Sequence, residues 1–360
     1  MLQTEIITNK AKGIMNTANK SLTNIMNNNT LRQLKNLGPL FFTVIIISIL
    51  LVLTLYYIQS KHYLNTNNCL KLQQFYKTPP KLYSIANNPK YNKHGLRDFT
   101  IKTAYNCCCS GELKHDYVNL CALSNCISQG VRCLDLEIYS IDNKPVVAAS
   151  SSDDYNTKET YNSIPIKEVF DTIAKTAFSA GSCPNPNDPI ILHFRIMSNN
   201  SKMYDKLAEI ISITHGFNSK TLGKNYSYEY TDGDTKSKNL GAVPISNFAG
   251  KIIIMIDGNN TLYQHTKLNE YINIASGSVF MHILRFKDIQ FNPDINLKVF
   301  NKKNMSIVLP DTSISDANPN FARPHKYGCQ FIAMSFQNLD SNLISYNKFF
   351  ETQNTAFVLK

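Results

Sequence analysis

The sequence predicts an α/β protein carried behind one membrane-spanning helix, and three observations lead there. Strand-like and helix-like segments alternate over roughly the last 260 residues of the 360-residue chain. That alternation argues for either a parallel barrel or a doubly wound sheet. A 19-residue run from Leu40 to Ile58 (LFFTVIIISILLVLTLYYI) carries no charge, glycine or proline. No glycine-rich phosphate loop follows any strand-like segment, which disfavours nucleotide binding.

The elements follow in order. Residues 1–38 are polar and asparagine-rich (NIMNNNT) and read as a cytosolic tail. Residues 39–58 form the span: at about 1.5 Å per residue the apolar run crosses a hydrocarbon core of about 30 Å. A cleaved signal peptide is the competing reading. The run is too long for one, a long segment precedes it, and no small-x-small site follows. Lys10, Lys12, Lys20, Arg32 and Lys35 precede the span against the single acid Glu5, and only Lys61 follows closely. The positive-inside bias therefore places the N-terminus in the cytosol and the rest of the chain in the lumen or outside the cell. Residues 59–95, with Pro79-Pro80 and little periodicity, read as a stalk.

Beyond it, DFTIKTAY (98–105) alternates as a strand, and HDYVNLCALSNCISQ (115–129) has helical spacing that stops at Gly130. GVRCLDLEIY (130–139) and KPVVAAS (144–150) are strands about an Asp142-Asn143 turn. SIPIKEVFDTIAKTAF (163–178) is amphipathic, with Ile166, Val169, Phe170 and Ile173 on one face. PIILHFRIM (189–197) is an apolar strand and SKMYDKLAEIIS (201–212) a helix. After a polar loop come strand candidates at 251–257, 279–286, 305–311, 329–337 and 355–360.

The net charge of +11 is spread over lysines, with no basic helix or arginine cluster and no tryptophan. Nucleic-acid binding is disfavoured on that pattern, while attraction to an anionic membrane surface is compatible with it. Seven of the nine cysteines (Cys69, Cys107, Cys108, Cys109, Cys121, Cys126, Cys133, Cys183 and Cys329) fall between the span and residue 140. Disulfides are expected if the domain is lumenal or extracellular, and buried thiols otherwise. A zinc site is disfavoured, because three consecutive cysteines and a C-x4-C cannot easily wrap one tetrahedral ion. Sequons at Asn199, Asn225, Asn259 and Asn304 permit glycosylation, although an asparagine-rich chain produces some by chance.

One pattern bears directly on chemistry. Asp135 and Glu137 alternate with Leu134, Leu136 and Ile138, so a strand turns both acids to one face. Two acids facing inward from a buried strand are costly unless a cation neutralises them.

In this order, DFTIKTAYN, GVRCLDLEIY, KPVV, IPIKEVFDTIAKTAF, DPIILHFRI with KMYDKLAEI, and VPISNFAGKIIIMID resemble the X region of phosphoinositide-specific phospholipase C. NPNFARPHKYGCQFIAMSFQNLD and the terminal AFVLK resemble the closing strands of its Y region. The resemblance implies a TIM-type (β/α)8 barrel with its site at the C-terminal ends of the strands. It divides the chain into an X-like half (96–224), a linker (225–243) and a Y-like half (244–360).

It also implies a catalytic kit of two histidines and a calcium ion held by Asn, Glu, Asp and Glu, from which this chain departs. The first histidine position is Tyr105 and the second is Ala149. The ligand Asn106 is kept, the Glu-x-Asp pair is reversed as Asp135-x-Glu137, and the last ligand position is Arg195. The phosphate-gripping lysines fall near Met255 and Asp257. The resemblance therefore leads to two expectations. In one, the chain is a catalytically inactive, membrane-anchored member with Arg195 in calcium's place and no metal. It would serve as a binding or structural surface protein, with phosphoinositide or other anionic headgroups as candidate ligands. Its Asn-, Lys- and Ile-rich composition and cysteine cluster would suit a viral envelope. In the other, it is a metal-independent hydrolase of phosphatidylinositol or a related phospholipid. That enzyme would use Arg195 for phosphate charge and His193 or Tyr105 for proton transfer. His115, His282 and His325 read as surface or packing residues, and the Ser150–Asp154 run as a solvated loop.

Overall fold

The computed structural model describes residues 12–21, 23, 29–228, 239–291, 296–312 and 317–360. It divides into two compact units, Met1–Tyr63 and Leu64–Lys360. Residues 12–21 are helical, and in helix α1 (Asn29–Phe75) the portion Leu37–Phe75 is long and apolar enough to cross a membrane. That is a statement of length and composition. Much of the tail at 1–38 and most of the linker at 225–243 lie outside the described residues.

The second unit is a parallel barrel. Its strands are β1 (Phe99–Ala104), β2 (Cys133–Ile141), β5 (Ile190–Ile196), β6 (Ile252–Asp257), β7 (Ile274–Ser276), β8 (Met281–Arg285), β9 (Met305–Leu309) and β10 (Phe331–Met334). Parallel ladders join each to the next and β10 back to β1, except between β7 and β8. The exception has a covalent cause. Parallel neighbours need a crossover of about a dozen residues or more, and only residues 277–280 separate these two strands. The chain turns at Gly277 (φ +78°) and a reciprocal pair of hydrogen bonds between Ser278 and Met281 closes the turn. It cannot return to the start of the barrel, so the wall stays open at this seam. The regular strand–helix alternation expected of a (β/α)8 barrel fails here, and between β6 and β7 only short 3-10 turns intervene.

Three further strands attach to the wall antiparallel. β3 (Lys144–Val147) returns along β2 through Asp142 and Asn143, both at positive φ as a tight two-residue hairpin requires, and β4 (Ile164–Pro165) pairs with β3. β11 (Phe357–Leu359) takes the lower edge of β1, which β2 leaves free by pairing only at Thr103 and Ala104.

Helices α2 (Leu120–Ser128), α3 (Ile166–Thr176) and α4 (Ser201–Ile213) pack outside. α3 presents Phe170, which stacks on Phe194 of β5 at 6.0 Å between ring centroids and on Phe217 at 4.2 Å. Because side chains alternate along a strand, Phe194 facing outward turns His193 and Arg195 into the barrel. Short helices α5 (Phe286–Phe291), α6 (Leu297–Lys303) and α7 (Ala322–Lys326) and the longer α8 (Ser341–Gln353) complete the second half.

Residues 59–95 are not a free stalk. α1 continues to Phe75, and the chain from Leu64 onward belongs to the barrel unit. Leu72, Tyr76, Leu82, Ile85 and Ala86 are buried, and the Tyr76 hydroxyl donates to the Phe336 carbonyl at 2.7 Å. Asn68 donates to Asp116, Cys69 forms a disulfide with Cys121 at the start of α2, and Asp188 accepts from the Ile85 and Ala86 amides. The remaining cysteines are all buried.

Lys102 on β1 is fully buried. Its ammonium donates to the Gln129 carbonyl at 2.9 Å and lies 5.9 Å and 6.0 Å from the ring centres of Phe336 and Phe350. Burial pulls its pKa down to about 8, against the pull of Glu351 and Cys126. Below that value the folded state carries the whole cost of a desolvated cation. Between about 8 and the ordinary 10.5 it sheds the proton first, so stability rises with pH across that window. The difference is on the order of 3 kcal/mol at ~1.4 kcal/mol per unit. We therefore expect Lys102→Met to be more stable than wild type at pH 7 by about 1–3 kcal/mol. The gap should close as pH passes from 8 to 10.5, measured by urea unfolding of the full chain in detergent. A wild-type curve parallel to the variant's across that window would contradict this account.

Candidate functional site

The site begins at the top of β1 and β2. The parallel register sets Asp135 beside His193 and Glu137 beside Arg195. Asn106, just past β1, adopts φ +41°, a conformation asparagine tolerates better than most residues. There its own amide donates to Asp135 Oδ2 at 3.1 Å and its side-chain Nδ2 to Glu137 Oε2 at 3.1 Å.

Arg195 lies at the centre of these oxygens. Its Nε donates to Asp135 Oδ1 at 3.0 Å. Its Nη2 donates to Asp135 Oδ2 at 3.0 Å, Glu137 Oε2 at 3.0 Å and Asn106 Oδ1 at 2.7 Å. All four side chains are buried. Tyr139 donates from its hydroxyl to Glu137 Oε1, and that hydroxyl also reaches the Thr157 carbonyl at 3.2 Å.

The charges are held unequally. Burial pushes Asp135 up, but the Arg195 charge and hydrogen bonds from His193 and Arg195 outweigh it and hold the carboxyl well below the usual range. For Glu137 burial prevails over Arg195, Tyr139 and Asn106, and the carboxyl is held above its ordinary value. Burial also works against the Arg195 cation, yet Asp135, Tyr105 and Glu137 keep it protonated more firmly than usual.

This geometry does not accommodate a calcium ion. The ligand-type oxygens of Asn106, Asp135 and Glu137 all face one guanidinium, and a divalent ion among them would sit about 3 Å from a fixed positive charge. At an effective dielectric constant of ~20 the repulsion is roughly 10 kcal/mol. Among the described residues no group of three or more His, Cys, Asp or Glu side chains is placed to hold a metal.

Above Arg195 the stack continues. The Tyr105 ring covers the guanidinium at 4.7 Å. Burial raises the Tyr105 hydroxyl's pKa, with Arg195 and Arg285 opposing, so it cannot act as a base near neutrality. Arg285 on β8 donates to the Pro310 carbonyl at 2.6 Å and to Asp153. A cleft of about 310 Å³ opens beside this stack, bordered by Arg195, Arg285, Asp153, Tyr155, Asp257 and Asn259.

The remaining candidates scatter. His193 is fully buried; its Nδ1 lies 2.8 Å from Asp135 Oδ1 and its Nε2 3.1 Å from Ser276 Oγ. This has the spacing of an Asp–His–Ser relay, but Ser276 is itself sealed in the wall and pairs with the Ile256 carbonyl at 3.2 Å. Ala149 and Met255 are buried, and only Asp257 of the expected phosphate-gripping positions borders the cleft. His115 stacks on Tyr161, His282 on Phe300, and His325 reaches Thr100.

The Ser150–Asp154 run is not simply solvated. Glu159 accepts from the Ser151 amide at 2.8 Å and from the Ser150 and Ser151 hydroxyls, and pairs with Lys114 at 2.7 Å. The Lys114 and Ser151 hydrogen bonds lower its pKa to about 2. Tyr139, Arg285 and Glu159 escape a reading of the sequence; Arg285 and Glu159 act on partners brought near by the fold, whereas Tyr139 bonds Glu137 two residues away on its own strand. For Tyr139 alone a signal exists: it continues the Asp135–Glu137 alternation by one step.

No family model and no curated protein matches this chain. Solved structures do. The chain superposes on PLC21 of L. pealei with a TM-score of 0.58 at 17% identity, covering 75% of this chain and 37% of that one. PLC21 of S. officinalis gives the same values. The chain thus spans little more than a third of the length of these proteins. A phosphatidylinositol-specific phospholipase C from Listeria monocytogenes superposes with a TM-score of 0.44 at 10% identity, covering 77% of this chain and 99% of that one, too low to argue from. The likeness shows the fold: a phospholipase C-type barrel, nearly closed and open at one seam.

Proposed function

We propose that this chain is a membrane-anchored, catalytically inactive member of the phospholipase C fold that acts as a binding or structural surface protein. The observation that carries the reading is the Arg195 guanidinium, bonded at once to Asn106, Asp135 and Glu137. In this reading it stands where the related enzymes' calcium would stand, and the protein needs no metal. Among the described residues no histidine borders the adjoining cleft. A reaction without its acid–base groups forgoes roughly 10²–10⁴-fold per group.

Both arginines at the cleft are already matched by the protein's own acids, which leaves little free positive charge for a headgroup phosphate. The Leu37–Phe75 helix supports single-pass anchoring, and the lysine bias before it supports a cytosolic N-terminus with the barrel on the far side. The Cys69–Cys121 disulfide is compatible with that placement, as is an envelope or other surface location.

Two outcomes are expected. Full-length protein in detergent or liposomes should release no inositol phosphate from phosphatidylinositol vesicles above the buffer rate, with or without calcium. Turnover by wild type that disappears in His193→Gln or Arg195→Lys would establish the metal-independent hydrolase instead. Second, wild-type thermal stability should not respond to calcium. Arg195→Glu restores a fourth oxygen ligand, and should recover about 2.7 kcal/mol when calcium reaches 100 times its Kd. A specific calcium shift in wild type would show that Arg195 does not replace the ion.

A further inference from the structure

We propose that Asn199 and Asn259 are N-glycosylated and that their glycans stand over the barrel mouth; this rests on the reading that places the barrel across the membrane from the N-terminus. The four sequons are not equivalent in the fold. Asn199 and Asn259 are exposed, and so are the hydroxyl residues two positions on, Ser201 and Thr261. In the other two sequons the hydroxyl is sealed. Ser306 is fully buried and donates to Asn301 Oδ1 at 2.7 Å; Ser227 is fully buried and donates to the Asn269 carbonyl at 3.0 Å. Asn304 is itself half-buried and accepts from Asn239 at the start of β9.

The two open sequons are also neighbours. They follow the adjacent strands β5 and β6, and Asn260 Nδ2 donates to Asn199 Oδ1 at 3.2 Å and to the Ser198 carbonyl at 3.3 Å. The backbone amide of Asn259 donates to Asp257 Oδ1 at 2.9 Å in a tight Asx turn, and the residue is exposed. Asn259 borders the cleft that contains Arg195 and Arg285. The Cys69–Cys121 disulfide in the same unit independently suits the oxidising compartment in which glycosylation occurs.

The co-reactant is a lipid-diphosphate-linked oligosaccharide. The amide Nδ2 forms a bond to the anomeric carbon, the bond from that carbon to the diphosphate oxygen breaks, and the amide proton passes to the departing lipid diphosphate. Nothing is oxidised or reduced. Sugar on Asn259 would overhang the cleft rim and keep a flat lipid surface away from Arg195, which fits a protein that no longer turns over lipid.

The test is full-length chain expressed in eukaryotic cells, with microsomes examined by protease protection and by glycosidase digestion followed by peptide mass spectrometry. Asn199 and Asn259 should be converted to aspartate by the glycosidase. Ser201→Ala and Thr261→Ala should each remove one glycan, and the double variant both, without changing either asparagine. A barrel protected from protease in which both residues are recovered as unmodified asparagine overturns the proposal alone. Glycans that persist in the double variant overturn it too. A barrel digested in intact microsomes overturns the topology itself, and the glycosylation proposal with it.

Discussion

The structure turns on the enclosure of one guanidinium by two carboxylates inside a barrel wall. Asp135 and Glu137 are fixed to the interior by the alternation of β2, since reversing the strand would turn Leu134, Leu136 and Ile138 inward and put the acids among the packing helices. Buried acids at that position need a positive partner, and β5 supplies it in register. Removing one member of such a cluster leaves an uncompensated buried charge, typically costing about 3–5 kcal/mol. Asn106 bonds both acids from a positive φ, the Tyr105 ring covers the guanidinium, and Tyr139 reaches from Glu137 to the Thr157 carbonyl of the 150–163 loop.

The same enclosure sets the chemistry. A phosphodiester site needs positive charge that is available to substrate and a base that can reach it. Here the hydrogen bonds of Arg195 from Nε and Nη2 are all directed to the protein's own acceptors, and the Arg285 ion pair with Asp153 neutralises the second cation at the cleft. The imidazole with suitable partners, His193, lies a layer below the mouth, between Asp135 and Ser276. The polar groups around Arg195 are thus turned toward other residues of the protein.

Much of this architecture is legible in the sequence where periodicity is long enough to speak. The alternation in GVRCLDLEIY reveals both the strand and the face its acids share, and the amphipathic spacing of Ile166, Val169, Phe170 and Ile173 marks α3. β7 has only Ile274–Ser276, too short to show a period, and it is the strand whose brief connection opens the seam. The stretch after the apolar run Leu40–Ile58 reads as a stalk in the sequence because its docking face uses only a few residues, Asn68, Leu72 and Tyr76 at four-residue intervals. Arg285 and Asp153 lie 132 residues apart, and nothing local in either segment announces their meeting.

The open seam gives the charged stack a structural role that catalysis does not require. β8 flanks the seam, so it lacks the backbone ladder that its counterparts share on both edges. At its end Arg285 donates to Pro310 beyond β9 and to Asp153 in the loop beyond β3. These bonds tie the end of β8 to the segment after β9 and to that loop, while the Tyr105 ring rests on Arg195. One group of contacts, Asp135 and Glu137 with Arg195 and Tyr105, binds β2 to β5 and β1, and a second, Arg285 with Asp153 and Pro310, holds the end of β8 where the wall leaves it unpaired. On this account the charges at the barrel top serve the fold itself, because the Arg285–Asp153 pair joins β8 to a loop that no ladder connects to it.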